Sequence, residues 1–130
     1  MSRFILVLRD DPTRFADISP AEMQAIIERY QTWGKNLGDR RLDSNKLTDG
    51  SGAAVMRGAG SSTVVTDGPY GETKEVVSGF FVIEADSLAH AQDLCRDHPG
   101  LDFGSIEIRQ IDELEDCAEQ SAGARASARS

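Results

Sequence analysis

Short apolar runs and amphipathic stretches alternate along the chain and predict a mixed α+β domain. The run "RFILVLR", residues 3–9, is too short for a helix and rich in β-forming residues, which predicts a strand with apolar side chains on both faces. The runs "STVVT" and "VVSGFFVIEA" predict two further strands, and the second again has apolar side chains on both faces. An alternating run, "GSIEIRQI", predicts the strand that closes the domain.

Two helices are predicted between these strands. Ser19-Pro20-Ala21-Glu22 has the pattern of a capping box with proline in the first turn, and apolar residues recur after it at helical spacing as far as Leu37. The second helix begins after a cap at Asp86 or Ser87 and ends before Pro99-Gly100. Residues 40–62 alternate short apolar pieces with glycine-rich breakers, which predicts one short strand and a mobile loop.

The predicted order of elements is β-α-β-β-β-α-β, or β-α-β-β-α-β if the segment after Gly38 is only an irregular arm. Either order gives a ferredoxin-like α+β sandwich, with both helices on one face of an antiparallel sheet. The other face must meet solvent or another sheet. Because residues 4–8 and 76–83 are apolar on both faces, we expect a homodimer paired through the sheets, of the dimeric α+β barrel type.

Composition and charge narrow the classes of partner. The length of 130 residues suits one domain, which we place at residues 1–111. Residues 112–130 carry five acidic side chains and two arginines and show no apolar periodicity. This composition predicts a disordered tail. The net charge is −8 and no cluster of Lys and Arg occurs, so we expect neither nucleic acid nor an anionic membrane as a partner. The first apolar run is too short for a signal peptide or a membrane span, which indicates the cytoplasm.

Several residues that could support chemistry have simpler interpretations. "DGSG" and "GAGSS" neither introduce a helix nor precede a Lys-Ser/Thr pair, so no nucleotide or other cofactor site is predicted. His90 and His98 are eight residues apart, which does not suit one metal ion, and His98 is interpreted as a cation at a helix C-terminus. Cys95 lies on an apolar stripe and is interpreted as a buried, inert thiol, whereas Cys117 lies in the tail.

The strongest candidate for a site is "TDGPYGETKE", residues 66–75, called the arm below. Turn chemistry explains Asp67-Gly68-Pro69, because an Asp side chain bonds to the backbone ahead of it and proline fixes φ. It does not explain an aromatic residue at position 70 or the charged residues that follow. Carboxylates and a lysine beside a cleft can serve as acid, base and charge partner. The predicted catalytic residues are therefore Asp67, Glu72, Lys74 and Glu75.

The stretch "VTDGPYGETKEVVSGFFVIEADSLAHAQDLCRDHPG", together with "GSIEIRQI", resembles the YCII-related family in the branch named for its Asp-Gly-Pro-Phe motif, the DGPF domain. The resemblance covers about residues 3–111, and Tyr70 replaces the usual Phe. It implies a ferredoxin-like domain that pairs through its sheet. Shorter members of the family place a His, thought to act with an Asp, early in the first helix. This chain reads "SPAEMQ" there, so that dyad does not carry over.

Two functions of different class remain open. The first is a small-molecule enzyme or ligand-binding protein whose cleft is lined by the arm. The second is a non-catalytic module that regulates a transcription partner through its acidic surface or tail, since the resemblance implies an association with extracytoplasmic-function sigma factors in some members. A cleft that holds a small organic acid would favour the first, and salt-sensitive binding to a basic partner would favour the second.

Overall fold

The computed structural model describes residues 1–48, 52–67 and 75–113. Six strands and two helices lie within these ranges. They are β1 (Ser2–Asp10), α1 (Pro20–Asn36), β2 (Arg41–Lys46), β3 (Ala54–Arg57), β4 (Val64–Asp67), β5 (Val76–Ala85), α2 (Leu88–Cys95) and β6 (Gly104–Gln110). Residues 40–62 therefore contain two strands, β2 and β3, and the prediction of a single strand there was wrong.

Four strands form an antiparallel sheet in the order β2-β5-β1-β6, which is the ferredoxin-like arrangement and confirms the predicted fold class. β3 and β4 pair with each other in a separate two-stranded sheet, called the ribbon below. The ribbon lies between β2 and β5 in the chain, and its second strand, β4, is the strand predicted from the run "STVVT".

One face of the sheet packs against the helices and forms the core. Alternate residues of the central strands point to this face because side chains alternate along a strand. The buried apolar residues are Phe4, Leu6 and Leu8 of β1, Phe81, Ile83 and Ala85 of β5, Trp33 and Leu37 at the end of α1, and Ala91 and Cys95 of α2. Both helices thus cover the same face.

Capping chemistry fixes where the helices begin, as predicted. The Ser19 hydroxyl accepts from the Glu22 backbone N–H, and the Glu22 carboxylate accepts from the Ser19 backbone N–H, which completes the capping box of α1. For α2 the cap is Ser87, whose side chain accepts from the His90 N–H. A 3₁₀ turn at Pro99–Asp102 then leads into β6.

A bulge in β5 changes which of its residues face the helices. Leu8 pairs with Gly79 but Arg9 pairs with Val77, so Ser78 is the extra residue of the bulge. The Ser78 hydroxyl approaches the Leu8 carbonyl oxygen at 3.4 Å. Beyond the bulge, Asp10 continues the alternation of Leu6 and Leu8 and so lies on the helix side of the sheet.

The described chain continues to Glu113, whose carboxylate pairs with Arg3 at 2.8 Å. The predicted disordered tail lies outside the described residues from position 114 onwards. Within the part of the chain that the structure describes, no helix combines the length and the hydropathy that crossing a membrane requires.

Candidate functional site

A cleft of about 330 Å³ opens between α1 and the helix side of the sheet. Its volume lies at the lower end of the roughly 300–1,000 Å³ that is usual for small-molecule sites. Apolar side chains dominate its walls: Leu8, Phe15, Met23, Ile26, Ile27 and Phe81. The cleft therefore suits a small ligand with an apolar body.

The cleft exists because α1 packs on the sheet only near its C-terminal end. Trp33 and Leu37 are buried in the core, whereas Ile27 is 42% exposed and lines the cleft. Two glycines line the cleft, and a side chain at either position would crowd a neighbouring residue. A Cβ on Gly34 would lie 3.2 Å from Nη1 of Arg41, and a Cβ on Gly79 would lie 2.9 Å from the Asn45 carbonyl oxygen.

Asp10 supplies a carboxyl group to the cleft. It stands at the end of β1, opposite Val76 on one side and Gly104 on the other. Burial raises the pKa of Asp10 above its usual value of 3.8, while a hydrogen bond from Ser78 and the charge of Lys46 oppose the rise. A half-buried carboxyl with a raised pKa is poised to take up and release a proton closer to neutral pH.

Tyr30 lines the same cleft from α1. Burial, and next the negative charge of Asp10, raise the pKa of Tyr30 to about 12. The phenol therefore stays protonated at neutral pH and can donate a hydrogen bond to a ligand.

The wall formed by β2 carries two cations, Arg41 and Lys46. Because the register shifts within β2, their partners on β5 are four residues apart, which at the rise of a strand separates the two cations by roughly 13 Å along the sheet. Lys46 acts on the charge of Asp10, so these two residues share one end of the cleft. Arg41 marks the other end, where its guanidinium lies beside Gly34.

Behind the cleft, His98 is only 2% exposed. Its Nδ1 accepts from the Gly100 N–H at 2.8 Å, and its ring meets those of Trp33, Tyr30 and Phe81 with centroids 4.3, 5.3 and 5.9 Å away. Burial lowers the pKa of His98 from 6.5 to about 4. The interpretation of His98 as a helix-terminal cation was therefore wrong, because the residue is a neutral part of the core.

Cys95 is buried, and burial raises the pKa of its thiol to about 11, which confirms the prediction of an inert thiol. Cys117 lies outside the described residues. His90 Nδ1 accepts from the Asp86 backbone N–H at 3.0 Å, so this side chain helps to organise the start of α2. Among residues 1–48, 52–67 and 75–113, no group of three or more His, Cys, Asp or Glu side chains is arranged to hold a metal ion.

Two of the four predicted catalytic residues, Asp67 and Glu75, lie within the described residues. The backbone of Asp67 ends β4, opposite Ala54 in the ribbon. Glu72 and Lys74 lie outside the described residues. Glu75 ends the arm: its carboxylate accepts from the Ser105 hydroxyl at 2.7 Å, and its charge acts on Asp10. The arm thus rejoins the sheet next to the carboxyl of the cleft, and the role of these four residues stays a prediction.

Sequence reasoning did not find Asp10, Tyr30 or Arg41. They belong to three different elements, and only the packing of α1 on the sheet brings them to one cleft. A local signal existed for Asp10, because "RDD" places carboxylates directly after a strand with apolar residues on both faces. No comparable signal marked Arg41, which is one of two adjacent arginines.

Comparison with family models, curated proteins and solved structures gives matches of each kind. A family model described as the YCII-related domain matches residues 27–115. Uncharacterized protein R00369 of Rhizobium meliloti (strain 1021) is 38% identical over 92 residues, which cover 69% of this chain and 70% of that protein. Among solved structures, 5-chloro-2-hydroxyhydroquinone dehydrochlorinase (TftG) from Burkholderia phenoliruptrix AC1100, in complex with 2,5-dihydroxybenzoquinone, is similar with 15% identity and a TM-score of 0.47. The match covers 88% of this chain and 97% of that one.

Proposed function

The chain belongs to the YCII-related family, and from that premise we propose that it is a small-molecule enzyme or ligand-binding protein that uses the cleft between α1 and the sheet. The observation that carries the proposal is Asp10, a half-buried carboxyl with a raised pKa in a cleft with mainly apolar walls. Perturbed titratable groups in clefts are typical of functional sites.

The chemistry that this arrangement supports is proton transfer. Asp10 takes a proton from an acidic O–H or C–H of the ligand, or returns one, and its raised pKa makes it a stronger base than an exposed carboxylate. Tyr30 holds its own proton, since its pKa is about 12, and donates a hydrogen bond to the negative charge that develops on the ligand.

The arm remains part of the proposal. Glu75 raises the pKa of Asp10, and Val76 after it pairs with Asp10, so the arm joins the sheet at the acid–base end of the cleft. In this view Glu75 adjusts the charge near Asp10, and Asp67, Glu72 and Lys74 are further candidates on the same connection.

The test is a screen of small organic compounds against the full chain, followed by backbone amide NMR shifts. We expect binders to perturb amides of α1, β2 and β5 around the cleft, and a Ser44→Phe variant, which fills the cleft, to lose binding while it stays folded. Shifts confined to surfaces away from the cleft, or unchanged binding in the folded Ser44→Phe variant, would exclude the cleft as the site.

Once a ligand or reaction is known, two carboxylate variants locate the chemistry. Asp10→Asn removes the carboxylate that lines the cleft, and Asp67→Asn removes one carboxylate of the arm while it keeps the side chain's ability to bond to the local backbone. Loss of turnover in Asp10→Asn alone supports the cleft carboxyl. Loss of turnover in Asp67→Asn alone, at unchanged stability, would assign the acid–base role to the arm.

A second candidate, a non-catalytic interaction module for a transcription partner, is favoured by one feature of the ribbon. Met56, Val64 and Val65 are 67%, 57% and 58% exposed, and Met56 pairs directly with Val65. Such apolar side chains on a two-stranded sheet suit contact with another protein. Genetic complementation of a deletion strain separates the candidates. Failure of Ser44→Phe alone supports the cleft, and failure of Val65→Glu alone supports the module.

A further inference from the structure

The ends of the cleft differ in charge, and the difference points to a class of ligand. The charge of Lys46 acts on Asp10 and the charge of Asp10 acts on Tyr30, which places these three residues at one end, whereas Arg41 lies beside Gly34 towards the other. We infer that Arg41 binds the carboxylate of a small aromatic or aliphatic acid whose apolar body lies along the cleft towards Asp10. This inference rests on the proposed function of the cleft.

The first support is that the Arg41 guanidinium has no partner among the described residues. Seven of the nine arginines in the described ranges form an ion pair or a hydrogen bond with another described residue: Arg3, Arg9, Arg14, Arg29, Arg40, Arg96 and Arg109. Within those ranges the Arg41 side chain has no such partner although it lines the cleft, and the other exception, Arg57, is on the ribbon and not among the cleft residues.

The second support is that the chain is acidic while this wall of the cleft is basic. The net charge is −8, yet Arg41 and Lys46 line the cleft with Asp10 as the carboxylate among its lining residues. In an acidic protein, a cation without a carboxylate partner at the end of a cleft concentrates anions locally. The planar guanidinium also matches a carboxylate with two parallel hydrogen bonds.

The third support is the set of residues that line the cleft next to Arg41. Gly34 has no side chain, and this lets the Arg41 side chain lie against α1, with Nη1 and Cδ at 3.2 and 3.9 Å from the position of a Cβ. Phe81, which is 3.6 Å from the same position, and Ile26 line the adjoining wall. A carboxylate at Arg41 is therefore held away from the negative charge of Asp10, and the rest of the acid lies on the apolar side chains between the two ends.

The experiment compares charged and neutral ligands of the same shape. Benzoate with benzamide and hexanoate with hexanamide are titrated into the full chain by amide NMR. We expect at least one acid to bind in the cleft about tenfold or more tightly than its amide, the scale of a hydrogen-bonded charge. Equal binding of acid and amide, or no binding of either acid at millimolar concentration, overturns the inference. Binders of other chemistry found in the cleft would leave the proposed function standing.

Variants assign the effect to Arg41. Arg41→Gln should weaken acid binding about tenfold and leave amide binding unchanged, and Arg41→Lys should recover part of the loss because the charge remains but the paired donors do not. Arg57→Gln makes the same change of charge at an arginine far from the cleft lining and is the matched control. An equal loss in Arg41→Gln and Arg57→Gln would show a general charge effect and contradict the inference.

Discussion

At the scale of the residue, His98 combines a hydrogen bond at one ring nitrogen with contacts to three aromatic rings. Because Nδ1 accepts from the Gly100 N–H, the proton of the neutral ring is on Nε2. Nε2 is buried, and no hydrogen-bond acceptor reaches it within the described residues. The ring of Trp33 is 4.3 Å away and nearly perpendicular, an arrangement that accommodates an N–H group over an aromatic face.

This environment predicts loss of stability in mild acid. The pKa of His98 is about 4 in the folded protein and 6.5 in the reference state, so the unfolded chain takes up the proton first. The contribution to stability is complete above about pH 6.5 and decreases as the pH falls towards 4, by on the order of 3 kcal/mol. Asp97, next to His98, favours the charged ring and so reduces this loss of stability. Asp10 contributes with the opposite sign, because its pKa is raised in the folded protein and its protonation therefore favours the fold as the pH falls.

Denaturant unfolding between pH 4 and pH 7 measures this effect. His98→Gln keeps a side-chain acceptor but does not titrate, so we expect the variant to have a lower free energy of unfolding at neutral pH and a flatter dependence on pH. A dependence as steep in His98→Gln as in the unchanged protein would assign the acid sensitivity to other groups.

Single residues were predicted well where their surroundings come from nearby sequence. The stripe of α2 was enough to identify Cys95 as a buried thiol. His98 was misread because its neighbours, Trp33 and Phe81, come from α1 and β5, which are distant in the sequence. The protonation of a histidine depends on such contacts, and no local pattern contains them.

At the scale of the element, α1 has two parts with different tasks. Its C-terminal part packs on the sheet through Trp33, which also donates from Nε1 to the Asp97 carboxylate at 3.1 Å. Its N-terminal part lines the cleft through Met23 and Ile26. Gly34 lies where the two tasks meet, buried and against Arg41 and Phe81.

We predict that Gly34→Ala is tolerated by the fold but changes the cleft. Alanine favours the helix by up to about 1 kcal/mol, and the exposed Arg41 side chain can move from the new methyl group. The free energy of unfolding should stay level or rise by that amount, while binding of the acid at Arg41 weakens. Thermal unfolding and the benzoate titration measure the two effects.

Gly104→Ala is the contrasting variant. A Cβ there would collide with the backbone carbonyl of Arg9, which cannot move without breaking the pairing of β1 with β6, so we expect a loss of several kcal/mol or failure to fold. If Gly34→Ala is destabilised as strongly, contact with Phe81 rather than with Arg41 controls that position.

Local patterns predicted the elements well and their assembly less well. The capping serines, the alternation in β6 and the two-faced apolar strands β1 and β5 each have a short period that the sequence carries directly. The ribbon was only partly predicted because its strands, β3 and β4, are four residues long and lie among glycines. The cleft depends on the angle of α1 and on the bulge at Ser78, which are set by packing and register.

At the scale of the whole molecule, the face of the sheet opposite the helices determines whether the protein is a monomer or pairs with a second copy. Ile5 pairs with Val82 and Val7 pairs with Phe80, and these four residues alternate with the core residues, so they form an apolar centre on that face. The Arg9–Glu107 ion pair, at 2.6 Å, lies beside this centre on β1 and β6. An apolar centre with a charged rim is typical of an interface between proteins.

We therefore predict a homodimer in which this face meets its counterpart in a second copy. Sedimentation should give about twice the chain mass of 14.1 kDa at micromolar concentration. Val82→Glu should shift the protein to the monomer, because a carboxylate in the centre of the interface would be buried without a partner. Met56→Glu adds the same charge on the ribbon and should leave the dimer intact. If the unchanged protein sediments at 14.1 kDa, or if Met56→Glu dissociates it while Val82→Glu does not, the sheet face is not the interface. In the second case the ribbon, through Met56 and Val65, is the contact between copies.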